Sequence, residues 1–143
     1  MSTTTDLTEL KINVLTQAQY DSATKANDEL YLTPAIEDIS SQITFGGAWT
    51  QMVKVAYKVG KLVFFDLEGS TSTIVGGTQY TMATIASGYR PSSSIYLTGH
   101  TTNASYVPQA VVNAIAWTSG DITVRPSNAN GLYFFVSGWY VIA

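Results

Sequence analysis

The sequence has no cysteine and a single histidine, His100, among its 143 residues. Without cysteine, disulfide bonds and thiolate metal sites are excluded. One histidine among scattered carboxylates does not make a ligand set, so we expect no metal ion and no cofactor. The GxSxG, Walker and dinucleotide-binding glycine motifs are also missing. These absences leave little material for catalysis, and we expect a protein that is not an enzyme.

Long apolar runs and an excess of basic residues are missing as well. The longest apolar stretches, residues 133–136 and 139–143, are too short to cross a bilayer, and residues 1–10 lack the basic start and apolar core of a signal peptide. We therefore expect a soluble protein that does not insert into membranes. Residues 41–143 carry a net charge of +2, against −5 for residues 1–40. This excess is too small for the basic stripe of a nucleic-acid-binding surface.

What the sequence does have is the composition of a β protein. Hydrophobic residues make up 45% of the chain and charged residues 12%, which provides enough apolar material for a buried core. Thr, Ser, Val, Ile, Tyr and Gly recur, whereas the helix-favouring Glu and Lys are scarce. From Trp49 onward, apolar and polar side chains alternate, as between Val53 and Val59, and turn residues such as Gly60 separate the runs. About eight short strands at this spacing predict an antiparallel β-barrel or sandwich over residues 48–143.

Two features of the C-terminal part make more specific predictions. Asn130 and Gly131 suit a type I′ turn, which predicts a hairpin between the last two strands. The final strand, LYFFVSGWYVIA, is strongly apolar. We therefore expect it to lie centrally in the sheet or at a subunit interface rather than at a free edge.

The first 33 residues predict a small α/β module of strand, helix and strand. LKINVL at residues 10–15 alternates as a short strand does, and ELYLT at residues 29–33 looks like a second strand that pairs back toward the first. Between them, Thr16 and Gln19 form a capping box, which starts a helix that we expect to end near Asn27.

Residues 34–47 predict a short helix between this module and the barrel. Thr33 can cap the helix, Pro34 suits its first position, and the Gly46–Gly47 pair ends it. The pattern is compatible with a trimer neck and equally with a single helix that lies on the barrel. In favour of the neck, three isoleucines occupy the a, d and a positions of a heptad, which favours trimers or tetramers: Ile36, Ile39 and Ile43.

The acidic residues of the predicted barrel suggest two catalytic arrangements, neither of which fits well. Asp66 and Glu68 lie two apart on one strand, about 7 Å along it, which superficially suits a glycosidase carboxylate pair. Glycosidase acids usually face each other across a cleft, however, and a solvated strand end explains this pair better. His100 and Asp121 could join one of many serines in a triad, but the sequence has no nucleophile elbow.

Binding of a saccharide fits the sequence better than catalysis does. Three tryptophans and nine tyrosines offer flat faces for sugar rings, and polar side chains in the predicted loops offer directed hydrogen bonds. We assign Trp139 and Tyr133 to the core or an interface, because their strand is apolar. Trp117 ends its strand, where exposure at the rim and burial are equally compatible, and Arg90 has a structural salt bridge as its alternative role. The candidate ligand residues are His100, Trp117, Arg90, Asn103 and Asp121.

Two stretches resemble proteins of tailed phages. TMATIASGYRPSSSIYL at residues 81–97, followed by GDITV at residues 120–124, resembles the C-terminal head domain of phage receptor-binding proteins, of which lactococcal baseplate tips are the best known. KINVLTQAQYDSATKANDELYLTP at residues 11–34 is similar to a short module of phage tail and baseplate proteins. At the family-marked positions, Gly88 to Pro91, we expect a structural role in turning the chain between strands.

The resemblance implies a homotrimer of small antiparallel barrels on a neck, which binds host cell-wall polysaccharide without cleaving it. It implies a shallow sugar site, within one head or between heads, formed by aromatic, histidine, arginine and acidic side chains. Residues 1–40 would attach the protein to another virion protein, at the tail tip or baseplate rather than on the capsid surface. The alternatives are a head-fibre, decoration or connector protein without a glycan ligand, and a polysaccharide depolymerase.

Overall fold

The chain divides into two units, Met1–Ile36 and Glu37–Ala143. The structure, a computed structural model, describes residues 11–14, 29–32, 36–72, 74–128 and 132–142. In the first unit, two strands pair in parallel over their whole length: β1 (Lys11–Val14) and β2 (Glu29–Leu32). The helix that the sequence predicts between them lies outside the described residues.

The second unit forms one nine-stranded antiparallel sheet, which curls into a half-barrel. The prediction of a mainly β protein is confirmed, and helix in the described part of this unit is limited to two short 3-10 segments, Ser40–Gln42 and Ser87–Tyr89. The strands are β3 (Ile36–Asp38), β4 (Ile43–Phe45), β5 (Thr50–Val59), β6 (Leu62–Ser70), β7 (Tyr80–Ile85), β8 (Ile95–Thr102), β9 (Pro108–Ala116), β10 (Asp121–Pro126) and β11 (Tyr133–Val141). Their order across the sheet is β3-β5-β6-β11-β8-β9-β10-β7-β4. Over the ranges described above, none of the helical segments is of a length and apolarity that would let it cross a membrane.

The long strands β5 and β6 form a hairpin around Gly60, as the sequence predicts. Val59 pairs with Leu62, which leaves a loop of two residues, Gly60 and Lys61. Gly60 has a φ of +59°, and a glycine at the first loop position is what a type II′ turn requires. Such a turn has the backbone twist of the strands it joins, so the hairpin continues the twist of the sheet.

The final strand, β11, lies centrally between β6 and β8, as we expect from its apolar sequence. It pairs with β6 from Tyr133 opposite Ser70 to Val141 opposite Leu62. The predicted hairpin between the last two strands is wrong, because β10 pairs with β9 and β7 instead of β11. Asn130 and Gly131 lie outside the described residues. A turn signal specifies a local reversal of the chain, whereas the long register with β6 decides where β11 lies.

The core lies inside the curl and follows from the alternation of side chains along the strands. In β6, Val63, Phe65 and Leu67 are buried, while the side chains between them point to the outer face. Trp49 packs into the same core, where its ring meets that of Phe134 edge-on with centroids 5.0 Å apart. Its Nε1 donates a hydrogen bond to a backbone carbonyl at 2.9 Å, so burial of the indole leaves no polar group unsatisfied.

The predicted helical neck is wrong over residues 36–45, which form β3, a 3-10 turn and β4. β4 pairs with β7, and the backbone N–H of Ile39 donates to the carbonyl of Ala56 in β5 at 2.9 Å. Asp38 builds a tight turn instead of part of a helix, because its Oδ1 accepts a hydrogen bond from the N–H of Ser40 at 2.9 Å.

The three isoleucines of the predicted heptad do not share one stripe. Ile39 and Ile43 lie in the core, Ile43 with 0% of its surface exposed, whereas Ile36 is 64% exposed. Burial of an isoleucine side chain stabilises the fold by about 1.5–3 kcal/mol, and branched side chains suit extended backbone. Local helix signals are therefore overridden by core packing, and these residues no longer support a trimer neck.

We expect Ile43→Ala and Ile36→Ala to differ strongly in their effect on folding. Ile43→Ala removes a fully buried side chain and should lower the free energy of unfolding by about 2–5 kcal/mol. Ile36→Ala changes an exposed position and should alter it by less than about 0.5 kcal/mol. Urea unfolding followed by circular dichroism measures both. Equal effects of the two substitutions would contradict the placement of residues 36–45.

Candidate functional site

The structure places the five candidate ligand residues in two groups, toward opposite ends of β9. Trp117 and Asp121 flank the turn that follows β9. Arg90 reaches the same turn, because a Cβ added to Gly120 would lie 2.9 Å from Arg90 Nε. The other two residues, His100 and Asn103, lie near the loop that precedes β9. The sequence therefore identifies residues of two separate surfaces rather than of one site.

Arg90 and Asp121 line a shallow depression with a volume of about 440 Å³, which we call the polar depression. It combines one guanidinium group, one carboxylate, one amide and several hydroxyls, and so offers both donors and acceptors. The remaining polar residues of its lining are Ser41, Gln42, Thr44, Thr84 and Ser119.

The floor of the polar depression is a row of side chains on three adjacent strands. Thr44 of β4 pairs with Thr84 of β7, which pairs with Asp121 of β10. Because neighbouring strands lie about 4.8 Å apart, these three polar groups follow one another across the sheet. Ser119 Oγ donates a hydrogen bond to Asp121 Oδ2 at 2.7 Å and fixes the carboxylate at one end of the row.

Among the described residues, Arg90 bonds to a backbone carbonyl rather than forming the salt bridge that the sequence suggests as its alternative role. Its Nε donates to the carbonyl of Ile85 at 3.4 Å. Gly120 has a φ of +97°, and a Cβ there would meet the Ile85 carbonyl oxygen at 2.6 Å. Glycine is therefore required at this turn for the end of β7 and the side chain of Arg90 to approach it closely.

Trp117 is half-buried and precedes the turn that carries Ser119 and Asp121, but it is not one of the residues that line the polar depression. Its N–H donates to the carbonyl of Asp121 at 2.9 Å, which closes the turn between β9 and β10. Its Nε1 donates to Thr123 Oγ1 at 2.8 Å. Thr123 and Asp121 are two residues apart on one strand and so share a face. The indole therefore packs over Thr123, on the same face of β10 as Asp121.

At the other end of β9, four aromatic rings form a group that we call the loop-end cluster. His100 stacks on Phe135 with centroids 4.8 Å apart and an angle of 5° between the rings. Tyr106 stacks on Tyr133 at 5.3 Å and meets the edge of Phe135 at 6.4 Å. The sequence points to His100 but misses Tyr106 and Phe135. The pairing of His100 with Phe135 across β8 and β11 could only be found once the strand order is known.

Asn103 supports the loop of the loop-end cluster rather than offering its carbonyl to a ligand. Its Oδ1 accepts hydrogen bonds from the N–H groups of Ser105 at 2.9 Å and Val107 at 3.0 Å. This is the local side-chain-to-backbone bonding by which asparagine shapes turns. The two Nδ2 protons are not used by these bonds.

A third surface, the outer apolar face, lies on the outside of β5, β6 and β11. Tyr57, Phe64 and Trp139 are cross-strand neighbours in one row. Trp139 is 60% exposed, so it does not belong to the core. The inner sides of these strands are already apolar, and strands that are apolar on both sides are typical of sheets covered on both sides. The row continues into a group of exposed aliphatic side chains: Val55, Val59, Leu62 and Val141.

The corner at residues 87–91 is held by titratable groups. Glu37 Oε2 forms an ion pair with Lys58 Nζ at 2.7 Å, and Tyr89 donates its hydroxyl proton to Glu37 Oε1 at 2.8 Å. The bonds from Lys58 and Tyr89 lower the pKa of Glu37, and the carboxylate in turn raises the pKa of both partners. Tyr140 donates to the Tyr89 carbonyl at 2.8 Å, and burial raises its pKa. Gly88 and its neighbours thus lie in a structural corner.

The acidic pair Asp66 and Glu68 has no arrangement that resembles a hydrolase. Asp66 is exposed on the outer face, paired with Val55 and Ser137. Glu68 is not the solvated side chain that we expect, because its Oε1 is buried and has no hydrogen-bond partner among the described residues. Among all the residues that the structure describes, no three histidine or acidic side chains come together as metal ligands.

Comparison with known proteins gives no match to a protein-family model and none to a curated protein sequence. The function is therefore inferred from the geometry of the three surfaces and from the resemblance in the sequence.

We expect Glu37→Gln to destabilise the fold at neutral pH and to lose this effect in acid. Because the pKa of Glu37 lies below its usual value of 4.5 in the folded state, its contribution to stability is complete above that value. The contribution is lost as the pH falls through the lower folded pKa. Urea unfolding of both proteins between pH 7 and pH 2 measures this difference. As a control, Lys61→Gln in the exposed β5–β6 turn should show none, and a Glu37→Gln deficit that persists at pH 2 would contradict the assignment.

Proposed function

We propose that this chain is a trimeric receptor-binding protein of a tailed phage, located at the tail tip or baseplate, that recognises a host-surface saccharide without cleaving it. The observation that carries the proposal is the polar depression, in which Arg90 and Asp121 lie next to a row of hydroxyls. The resemblance of residues 81–97 to phage receptor-binding heads supports it, and so does the curled antiparallel sheet.

The polar depression matches the chemistry of a sugar. Saccharides present many hydroxyls that both donate and accept, and a C–H face that stacks on aromatic rings. Asp121 accepts from such hydroxyls, while the terminal nitrogens of Arg90 donate to sugar oxygens or to an acidic substituent. Thr44 and Thr84 can do either. The site is shallow, so each contact is weak.

Binding without cleavage is favoured by the number of carboxylates. Glycoside hydrolysis generally uses two carboxyl groups on either side of the scissile bond. Of the described residues that line the polar depression, Asp121 is the one with a carboxylate. Its Oδ2 accepts a hydrogen bond from Ser119, which holds it as an acceptor.

The outer apolar face supports assembly into a homotrimer. Exposed apolar patches of this kind mark protein interaction sites, and residues such as Trp139 are frequent anchors of interfaces. We assign the face to contact with other copies of this chain, because each copy would cover an apolar sheet face that is otherwise exposed to water. Three copies multiply weak saccharide sites into a high overall avidity. Residues 1–40 attach the trimer to another virion protein.

A capsid head-fibre, decoration or connector protein without a glycan ligand is the second candidate. The same outer apolar face favours it, because a face that covers a partner protein requires no sugar. The two functions differ in the polar depression, which would bind a saccharide in the first and no ligand in the second.

Substitutions in the polar depression should weaken binding of host cell-wall polysaccharide fragments. We expect Arg90→Gln and Asp121→Asn each to lower the affinity about tenfold, equivalent to about 1.4 kcal/mol, with thermal unfolding little changed. Isothermal titration calorimetry measures the affinity. Arg125→Gln is the matched control, since Arg125 is also an exposed arginine, which bonds to the Gly77 carbonyl, and it should bind as the wild type does.

Unchanged affinity in both depression variants would show that the saccharide binds elsewhere. If the wild type binds no host polysaccharide at all, the receptor-binding proposal is wrong and the connector function is favoured.

Substitution of the outer apolar face should dissociate the trimer. We expect Trp139→Ser to shift the protein from three chains to one, because it removes the most exposed aromatic ring of the face. Sedimentation equilibrium measures the number of chains. Val111→Ser, an exposed apolar position on the outer side of β9, is the control and should remain trimeric. A trimer that survives Trp139→Ser, or a monomeric wild type, would contradict this interface.

A further inference from the structure

The loop between β8 and β9 holds a tyrosine in an unusual backbone conformation. Tyr106 has a φ of +58°, and in the described part of the chain it is the one residue other than glycine with positive φ. For an L-residue with a bulky side chain, the left-handed region is sterically unfavourable. Glycine and asparagine adopt the same conformation more easily. A tyrosine at this position therefore requires an explanation beyond the shape of the loop.

The shape of the loop does not depend on the tyrosine ring. Its backbone is closed by a bond from the N–H of Asn103 to the carbonyl of Val107 at 3.1 Å and another from the N–H of Tyr106 to the carbonyl of Asn103 at 3.0 Å. The Oδ1 of Asn103 accepts two further bonds, from Ser105 and Val107. A glycine at position 106 could make the same backbone bond without strain.

The ring of Tyr106 is also only partly buried. One face packs on Tyr133, with the two rings 20° from parallel. The side chain remains 57% exposed, so burial returns only part of the conformational cost. The strained backbone presents a flat aromatic surface, in a fixed orientation, at the tip of the sheet.

Beside this surface lies a second depression, of about 330 Å³, which Tyr133 also lines. Register places Ser70 next to Tyr133 across β6 and β11, so the hydroxyls continue directly from the stacked rings. None of its described lining residues carries a charge, in contrast to the polar depression with Arg90 and Asp121. Besides Tyr133, the depression is lined by Ala48, Thr50, Ser70, Thr71, Ser72 and Leu132.

We infer that Tyr106, Tyr133 and this hydroxyl-lined depression form a second saccharide site, which binds a neutral oligosaccharide. One ring of the oligosaccharide stacks its C–H face on the exposed side of Tyr106, and a neighbouring ring exchanges hydrogen bonds with the serine and threonine hydroxyls beside Tyr133. The strained loop holds the ring in place before binding, so little entropy is lost when the sugar arrives. This inference rests on the proposed saccharide-binding function and adds a second site of different chemistry to it.

The two sites differ in how they respond to salt. Contacts of Arg90 and Asp121 with a charged substituent weaken as salt screens them. Stacking and neutral hydrogen bonds at the second site are largely insensitive to salt. A polysaccharide with neutral and charged sugar residues would be bound at two sites of one protein chain, and this raises the overall affinity of the protein for the polysaccharide.

Tyr106→Gly separates the role of the ring from the stability of the loop. We expect the variant to unfold at the same temperature as the wild type or a higher one, because glycine relieves the backbone strain. Its affinity for neutral gluco- and galacto-oligosaccharides should fall about tenfold, which corresponds to about 1.4 kcal/mol, and the wild-type affinity should persist in 0.5 M NaCl. Titration calorimetry and chemical-shift changes at the Tyr106 and Tyr133 rings measure this binding.

Three variants serve as comparisons in the same titrations. Tyr106→Phe keeps the ring and should bind neutral sugars nearly as the wild type does. Tyr96→Thr removes an exposed tyrosine from a different surface and should have no effect. Arg90→Gln should reduce binding of host polysaccharide while leaving the neutral oligosaccharides bound.

Each result decides something different. Neutral sugars that bind Tyr106→Gly as tightly as the wild type, or that bind nowhere while host polysaccharide still binds at Arg90, overturn the second site alone. A large loss of stability in Tyr106→Gly also overturns it, since the ring would then have a structural role. If neither neutral sugars nor host polysaccharide bind, the second site and the proposed function are both wrong.

Discussion

The central position of β11 is the constraint on which the rest of the structure depends. Its inner side chains, Phe134, Val136 and Tyr140, are buried in the core, so the strand cannot slip by one residue without exposing them. Its outer side chains then take fixed places. Trp139 joins the outer apolar face, while Tyr133 and Phe135 join the loop-end cluster. One register thus determines the positions of two of the three surfaces.

The polar depression depends on a different part of the sheet. β4, β7 and β10 lie at the far edge of the strand order, and their pairing aligns Thr44, Thr84 and Asp121. β4 is part of the sheet because burial of Ile39 and Ile43 in the core favours extended backbone over residues 36–45. If this segment were a separate helix, Thr44 would leave the row and the depression would lose one wall. The failure of the predicted neck and the formation of the polar site therefore have one cause.

The sequence predicts those features that alternation and single residues determine. The strands, the turn at Gly60 and the burial of the last strand follow from side-chain periodicity and backbone preference alone. The pairing of β11 with β6 and β8 depends on contacts between residues far apart in sequence, which no local pattern encodes. For the same reason, Arg90, Trp117 and Asp121 could be chosen as polar or aromatic loop residues, but their separation from His100 and Asn103 could not be foreseen. Tyr106 was missed because its significance lies in a backbone angle.

Arg90 and Tyr106 are two exposed side chains whose positions are set by the backbone around them. Arg90 lies against the turn at Gly120, where its Nε donates to the Ile85 carbonyl. Tyr106 is fixed by a loop whose hydrogen bonds hold it against its own backbone preference. In both cases the side chain has its position in the folded protein before any ligand binds. Such preorganisation matters most for weak ligands, because their binding releases little free energy that could order a loop. A protein that binds through several weak contacts gains more from such preorganisation at each of them than from one deeper pocket.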